Sequence, residues 1–373
     1  MDMRIIVEPE YRSSFWCIET LKGIKSQANL RKIRLIELTE GMLERMPLGE
    51  GGSVVMILGT SINWMNRIAA LSTERKLVCL LVTGDQGSQV TNRVSTVLMD
   101  YQSSMNTLLL HLKDMGDDRI AFCGANPNSY ADSIKSESFP WKKDIYYNFG
   151  SITTCTNQLW SRIDSYNAVI CANSAVAVYL LHFLLNKGLR IPEDIHLISF
   201  GDFFLSEVMN PSITSVIQDY KELGVQAVNA YSFLARNLQL IVNVFIRCPL
   251  KIRESTGETT LTTLSETNWT KENPPNVNFY DDDSILTLLA LERLLVESDD
   301  LDILILKKLI EKETQEKIAE DLNLALSSLR YRIKKMRDFF PDASRQMMME
   351  TVEYYLPAKA LERAVALKRN LMC

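Results

Sequence analysis

The sequence predicts an α/β protein with two doubly wound lobes, followed by a small all-α helix-turn-helix unit. Three observations predict it. Residues 1–260 alternate short apolar runs with helix-length stretches, in two successive sets. Several of those runs are apolar throughout, the pattern of strands buried on both faces of a parallel sheet. Residues 301–340 carry three short helical patterns, the last one basic and free of acid.

In order along the chain, Arg4 to Val7 is a short apolar strand. Tyr11 to Lys32 is of helix length, and Ile33 to Leu38 forms a second strand. Val54 to Leu58 and Leu77 to Val82 are unbroken apolar runs bounded by Gly, Ser and Asp. The second set has strands at Ile120 to Cys123, Ile145 to Asn148, Ala168 to Cys171 and Leu197 to Phe200. A helix over Asn173 to Lys187 meets a stop signal in Gly188 and Pro192. Glu8, Asn63, Asp85 and Asn126 follow predicted strands, at the end where α/β sheets place ligands. Of these Asn126 is the candidate ligand residue, although polar residues belong in any loop.

Residues 261–283, rich in Thr, Asn, Pro and Asp, read as a linker. The predicted organisation is a two-lobed domain over 1–260, that linker, a helix-turn-helix over 284–340 and a helical extension over 341–373. The acids before Ser284 can cap the next helix. That helix is apolar on nearly all sides through Ile285, Leu288, Leu291 and Leu294, so it needs burial on more than one face. Packing against the helix-turn-helix and a dimer seam both meet that need. The extension is interrupted by Pro357 and carries a modest apolar face at Leu361, Ala364 and Val365, a candidate dimerisation element.

Within 301–340, Leu301, Leu304, Ile305, Leu309 and Ile310 recur at helical spacing. Thr314 can cap a second helix, with Gln315 and Glu316 in its first turn and Ile318, Ala319 and Leu322 facing inward. Asn323 is a turn residue. In the third helix Leu329, Ile333 and Met336 point inward. Five positive charges and no negative one lie between Ala325 and Arg337, in a chain of net charge −5. One basic helix is more often a solvated face than a binding surface. The short helix and tight turn before it favour a reading head for a major groove.

The stretch EKIAEDLNLALSSLRYRIKKM, Glu316 to Met336, resembles the effector domain of LuxR-type regulators. Lys317, Ile318 and Ala319 fall on that family's KEIA run, and Ser327 to Arg330 with Arg332 on its STVKxR run. The resemblance implies that Ser327, Ser328, Arg330, Tyr331 and Lys334 face DNA, with Lys317 near a phosphate. Two departures are Ala325, where a capping serine is usual, and Tyr331, where a small polar residue is commoner. A lost cap costs about 1 kcal/mol.

Residues 167–229, NAVICANSAVAVYLL through to VQAVN, resemble the effector-binding domain of the LacI/GalR-type family, a relative of periplasmic binding proteins. Residues 118–139 and the closing IRESTG at 252–257 match it in the same order. The resemblance implies a periplasmic-binding-protein-like sensor with a ligand cleft between two lobes. It places Asn173, Asp202 and Lys135 in that cleft, and Trp16 against the ligand. Phe15 beside it is expected to pack on the sheet. Ser174 and Gly201 stand where the family has acids, and Lys135 where it has an arginine. Losing such charge-assisted contacts argues against an ordinary monosaccharide. Either the cleft reads something different or it has stopped reading small molecules.

Composition excludes several classes. With 46% hydrophobic and 23% charged residues, the chain reads as ordinary globular protein of two or three domains. No signal peptide or membrane span is expected. The seven scattered cysteines, with no CxxC pair, suit reduced thiols and a cytoplasmic location. The three histidines lie at no metal-ligand spacing, and His182 is expected to be structural. Neither a phosphate-cradling glycine loop nor a nucleophile elbow occurs, so no enzyme, metal or cofactor is expected. Phosphorelay control is not expected either. The combined expectation is a cytoplasmic transcriptional regulator that binds double-stranded DNA as a homodimer under a small-molecule or partner effector. A protein-interaction adaptor with a vestigial cleft and a small-molecule transport binder are the alternatives.

Overall fold

A computed structural model describes residues 2–47, 53–83, 94–257, 282–340 and 343–371. Asp85 and residues 261–281 of the expected linker lie outside the described residues. The chain forms two parallel-stranded lobes and a C-terminal helical unit, as the strand and helix periodicities predict.

The first lobe takes strands β1 (Asp2–Val7), β2 (Arg34–Leu38), β3 (Val54–Leu58), β4 (Val78–Val82) and β5 (Ser95–Met99), with β11 (Asn243–Ile246) returning late. Its order is β11-β5-β4-β3-β1-β2, with all pairs parallel. The second lobe orders β12 (Leu250–Lys251), β10 (Thr214–Val216), β9 (His196–Phe200), β8 (Ala168–Cys171), β6 (Ile120–Ala125) and β7 (Ile145–Tyr147). Only the two-residue β12 runs antiparallel there. The chain passes between lobes near residues 100, 218 and 248, so the lobes are interleaved rather than successive.

Strand residues alternate between two cores because a strand's side chains alternate faces. Phe122 and Ile170 face one side, and Cys123 and Cys171 face the other. In the first lobe, α1 (Phe15–Leu30) and α9 (Tyr220–Leu234) cover one sheet face and α3 (Ile62–Glu74) the other. Helices α1 and α9 cross with backbones touching at Gly23 and Gly224. A Cβ on Gly224 would stand 2.1 Å from the Thr20 carbonyl oxygen.

Helix α7 (Ser174–Asn186) is capped by the Asn173 side chain and ends at Gly188, whose φ of +89° is open to glycine. Its apolar outer face meets α10 (Asp283–Glu297), the first helix of the C-terminal unit. Ile285, Leu288, Leu291, Leu294 and Leu295 of α10 are buried in a core that also contains Val178, Leu181 and Leu184 of α7. Most of the apolar surface of α10 is therefore covered within the chain, while Leu286 stays exposed. Asp282 caps α10 through the Ser284 and Ile285 amides and also accepts the Ile152 amide, pinning α10 to the second lobe.

The rest of the unit comprises α11 (Asp300–Ile310), α12 (Gln315–Asp321), α13 (Leu326–Arg337), α14 (Arg345–Tyr355) and α15 (Ala358–Leu371). In α11 the fully buried residues are Ile303, Ile305 and Leu306. Leu301, Leu304 and Ile310 of the expected stripe are only partly covered. Thr314 caps α12 through the Lys317 amide, and Asn323 takes φ +53° in the turn before α13. Ala325 gives α13 no side-chain cap. Leu361, Ala364 and Val365 of α15 are buried on α11 and α8 (Phe204–Val208), so that apolar face is also used inside the chain. His182 of α7 stacks on Tyr354 and bonds the Tyr355 carbonyl at 3.2 Å, a structural contact between lobe and unit.

Candidate functional site

Between the lobes lies a cavity of about 190 Å³. It opens at the C-terminal ends of the strands, where successive loops converge. Trp16, Asn126, Lys135, Asn173 and Asp202 all stand in its wall. Phe15 does too, which corrects the expectation that it packs on the sheet. Its ring meets Phe203 at 5.5 Å and Tyr220 at 6.4 Å across the cleft.

Most charge in this wall is already matched. The buried Lys135 ammonium donates to Asp132 Oδ1 and to the Ala172 carbonyl, both at 2.8 Å, and lies 4.9 Å from the Tyr101 ring centre. Asp202 accepts two bonds from Arg253, at 2.7 and 2.8 Å, and Arg253 also reaches the Ile213 carbonyl. The Asn173 Oδ1 atom accepts the Val176 amide at 3.0 Å in capping α7. Asn126 Oδ1 accepts the Asn128 amide.

Gly201 occupies the place of an acid for a backbone reason. Its φ is +87°, and a Cβ there would stand 2.8 Å from Ser174 Oγ. Ser174 in turn accepts the Phe203 amide at 3.2 Å. Ser174 and Gly201, two of the three departures, therefore form one unit, with a serine bonding the loop that the glycine turns.

Sequence reasoning missed Gln218, Tyr101 and Leu289. Gln218 Oε1 accepts the Tyr220 hydroxyl at 2.7 Å, and its buried Nε2 has no partner among the described residues. Its signal was present as the glutamine closing the segment PSITSVIQ. Glu8 is structural, since its Oε2 accepts the Thr60 and Ser61 amides at the start of α3. Asn63 is exposed on α3, away from the cavity wall.

A latch spans the lobes along one edge. The Ile62 amide donates to the Asn128 carbonyl at 3.1 Å, and the Tyr130 amide to the Thr60 carbonyl at 3.0 Å. The Thr60 and Ser129 hydroxyls meet at 2.9 Å.

The second site is the surface of α13. Lys317, Ser327, Ser328, Arg330, Tyr331 and Lys334 are all exposed, Tyr331 by 69%. Arg330 Nε lies 3.3 Å from Gln315 Oε1 on α12. Arg332 turns the other way, onto Asp299 and the buried Asp302 at 2.6–3.0 Å. Among the described residues no cluster of His, Cys, Asp and Glu could hold a metal ion, and no helix is long and apolar enough to cross a membrane.

Residues 109–256 match the family model of a periplasmic binding protein-like domain. The chain is 25% identical over 182 residues to catabolite control protein A of Priestia megaterium, covering 44% of this chain and 54% of that protein. It is 36% identical over 75 residues to the HTH-type transcriptional repressor PurR of Haemophilus influenzae, covering 20% and 22%. It thus spans about half the length of the first relative and about a fifth of the second. Among solved structures, a transcriptional regulator CelR–cellobiose complex superposes with TM-score 0.57 at 17% identity, over 68% of this chain and 84% of that one. The lac repressor bound to ONPG gives TM-score 0.55 at 15% identity, over 68% and 81%. The α/β region shares the two-lobed fold of these two structures. Three of these four carry the name of a regulator or repressor, and the first is named a catabolite control protein.

Proposed function

We propose that the protein is a cytoplasmic, non-enzymatic transcriptional regulator in which a two-lobed sensor controls a C-terminal helix-turn-helix that binds double-stranded DNA. The observation that carries this reading is the outer face of α13, where Arg330, Lys334 and Lys335 of a LuxR-like recognition helix are exposed while Arg332 turns inward onto Asp302. Lys317 at the start of α12 suits a phosphate contact, and Ser327, Ser328, Arg330, Tyr331 and Lys334 suit the groove. Two such heads in a homodimer would match a two-fold site.

The cavity favours an uncharged effector. Lys135 is neutralised by Asp132, and Asp202 by Arg253. Trp16, Phe15 and Tyr101 line it with aromatic rings, while the unpartnered Gln218 Nε2 offers a donor. Nucleosides are therefore expected to raise the melting temperature, and zwitterionic amino acids to leave it unchanged.

The DNA reading is tested by fluorescence anisotropy with DNA from upstream of the protein's own gene, at two salt concentrations. Tight, salt-sensitive binding lost in Arg330→Ala, Lys334→Ala supports it, because phosphate contacts release counterions. Absence of binding to that DNA and to a random pool overturns it and leaves an adaptor role.

A further inference from the structure

The wall of the cavity is not made by the two lobes alone. Leu289, from helix α10 of the C-terminal unit, also lines it. One turn further along α10, Glu292 accepts the amides of Phe204 and Leu205, at 2.8 and 2.9 Å. Those amides directly follow the cavity-lining Gly201, Asp202 and Phe203. Helix α10 is thus held against the segment that shapes the cavity by a fully buried carboxylate, and an apolar side chain of the same helix faces the space.

Onward contacts are equally direct. Two residues after α10 ends, Asp299 caps α11 and accepts Arg332 of α13 at 2.9–3.0 Å. Helix α10 also shares its hydrophobic core with the second lobe, so neither can shift without disturbing the other.

We infer that the C-terminal unit is itself part of the effector site, with Leu289 touching the occupant and α10 passing its position to the DNA-reading helices. This rests on the regulator reading above and names the residue through which that regulation works. An effector needs different affinities for two states to act. A wall that belongs to the reading unit supplies the difference directly, because moving α10 changes the shape of the cavity.

The test uses the full-length chain with Leu289→Trp, which places a ring in the cavity from the C-terminal side. Leu289→Phe is the milder variant. Val296→Trp, an exposed site on the same helix, is the control. Two quantities are read: affinity for the upstream DNA, and hydrogen exchange at residues 129–135 and 173–176, two further segments that line the cavity. Leu289→Trp is expected to change the dissociation constant by at least about fivefold, the low end of ordinary coupling, and to slow exchange in both segments. Leu289→Phe is expected to do so more weakly, and Val296→Trp to do neither.

A folded Leu289→Trp that matches Val296→Trp in both readouts overturns the inference. If Leu289→Trp fails to fold, Leu289→Phe decides by the same two readouts. If the unaltered protein binds no DNA, the regulator reading falls on its own. Exchange at 129–135 and 173–176 then decides whether residue 289 faces the cavity: slowing keeps it in the wall, and no change removes it.

Discussion

Arg253 grips Asp202 with two parallel bonds of 2.7 and 2.8 Å, and both side chains are largely buried. The pair fixes the floor of the cavity from 51 residues away in sequence. Removing one partner of such a pair leaves an uncompensated charge. Arg253→Ala is expected to cost on the order of 3 kcal/mol, read by chemical denaturation. Combining it with Asp202→Asn is expected to recover part of that loss, and failure to recover would mean that Arg253 acts mainly through the Ile213 carbonyl and Glu207, 3.7 Å away.

The crossing of α1 and α9 has no room for a methyl group. A Cβ on Gly224 would stand 2.1 Å from the Thr20 carbonyl oxygen and 2.7 Å from the Ile24 amide nitrogen, both backbone atoms. Gly224→Ala is expected to destabilise the first lobe by about 2 kcal/mol or more. Hydrogen exchange should rise in residues 15–30 and 220–234 before it rises in the second lobe.

Burial lifts the Glu292 carboxyl from 4.5 to about 7, against the pull of the Leu205 and Phe204 amides and the nearby Lys368; Asp202 adds to the rise. The folded chain therefore holds a proton that the unfolded chain releases between pH 4.5 and about 7. Stability from this group falls as pH rises through that window, by up to about 3 kcal/mol. Burial lowers the pKa of His111 and His182, which contribute in the opposite sense. The informative quantity is the difference between the protein and Glu292→Gln across the window. The variant is expected to lose less stability toward neutral pH, and parallel curves would show that Glu292 stays ionised throughout.

Arg332 and Arg330 should separate cleanly. Arg332 neutralises Asp302, whose side chain is only 4% exposed. Arg332→Ala is expected to cost about 2–3 kcal/mol and to weaken DNA binding only as far as it unfolds the head. Arg330→Ala is expected to leave the melting temperature unchanged while reducing affinity and its salt slope. Full stability in Arg332→Ala together with lost binding would make Arg332 a DNA contact instead.

Much of this is legible in the sequence because strand ends and caps are local. Asn126, Asn173 and Asp202 follow β6, β8 and β9, so a parallel sheet brings them to one edge whatever their spacing along the chain. Thr314 and Asn323 announce their cap and turn through nearest neighbours. What stays illegible depends on rotation and distance. Arg330 and Arg332 look alike in a basic run, yet two residues on a helix are about 200° apart, and only one faces outward. Leu289 reads as one more core leucine, because nothing near it in sequence shows which surface α10 will meet. Phe15 misleads for the same reason, since its partners Phe203 and Tyr220 arrive from the other lobe and a crossover.

The shared core of the second lobe and α10–α15 also bears on how the molecule could be divided. A cut after Gly257 falls at a sensible place in the sequence, but it would strip the cover from α7 and expose Val178, Leu181 and Leu184 to water. The α/β region freed of the helical unit would be a sticky fragment prone to self-association. Exchanging this head for another would require rebuilding that surface, so the chain has a seam in its text but none in its mechanics.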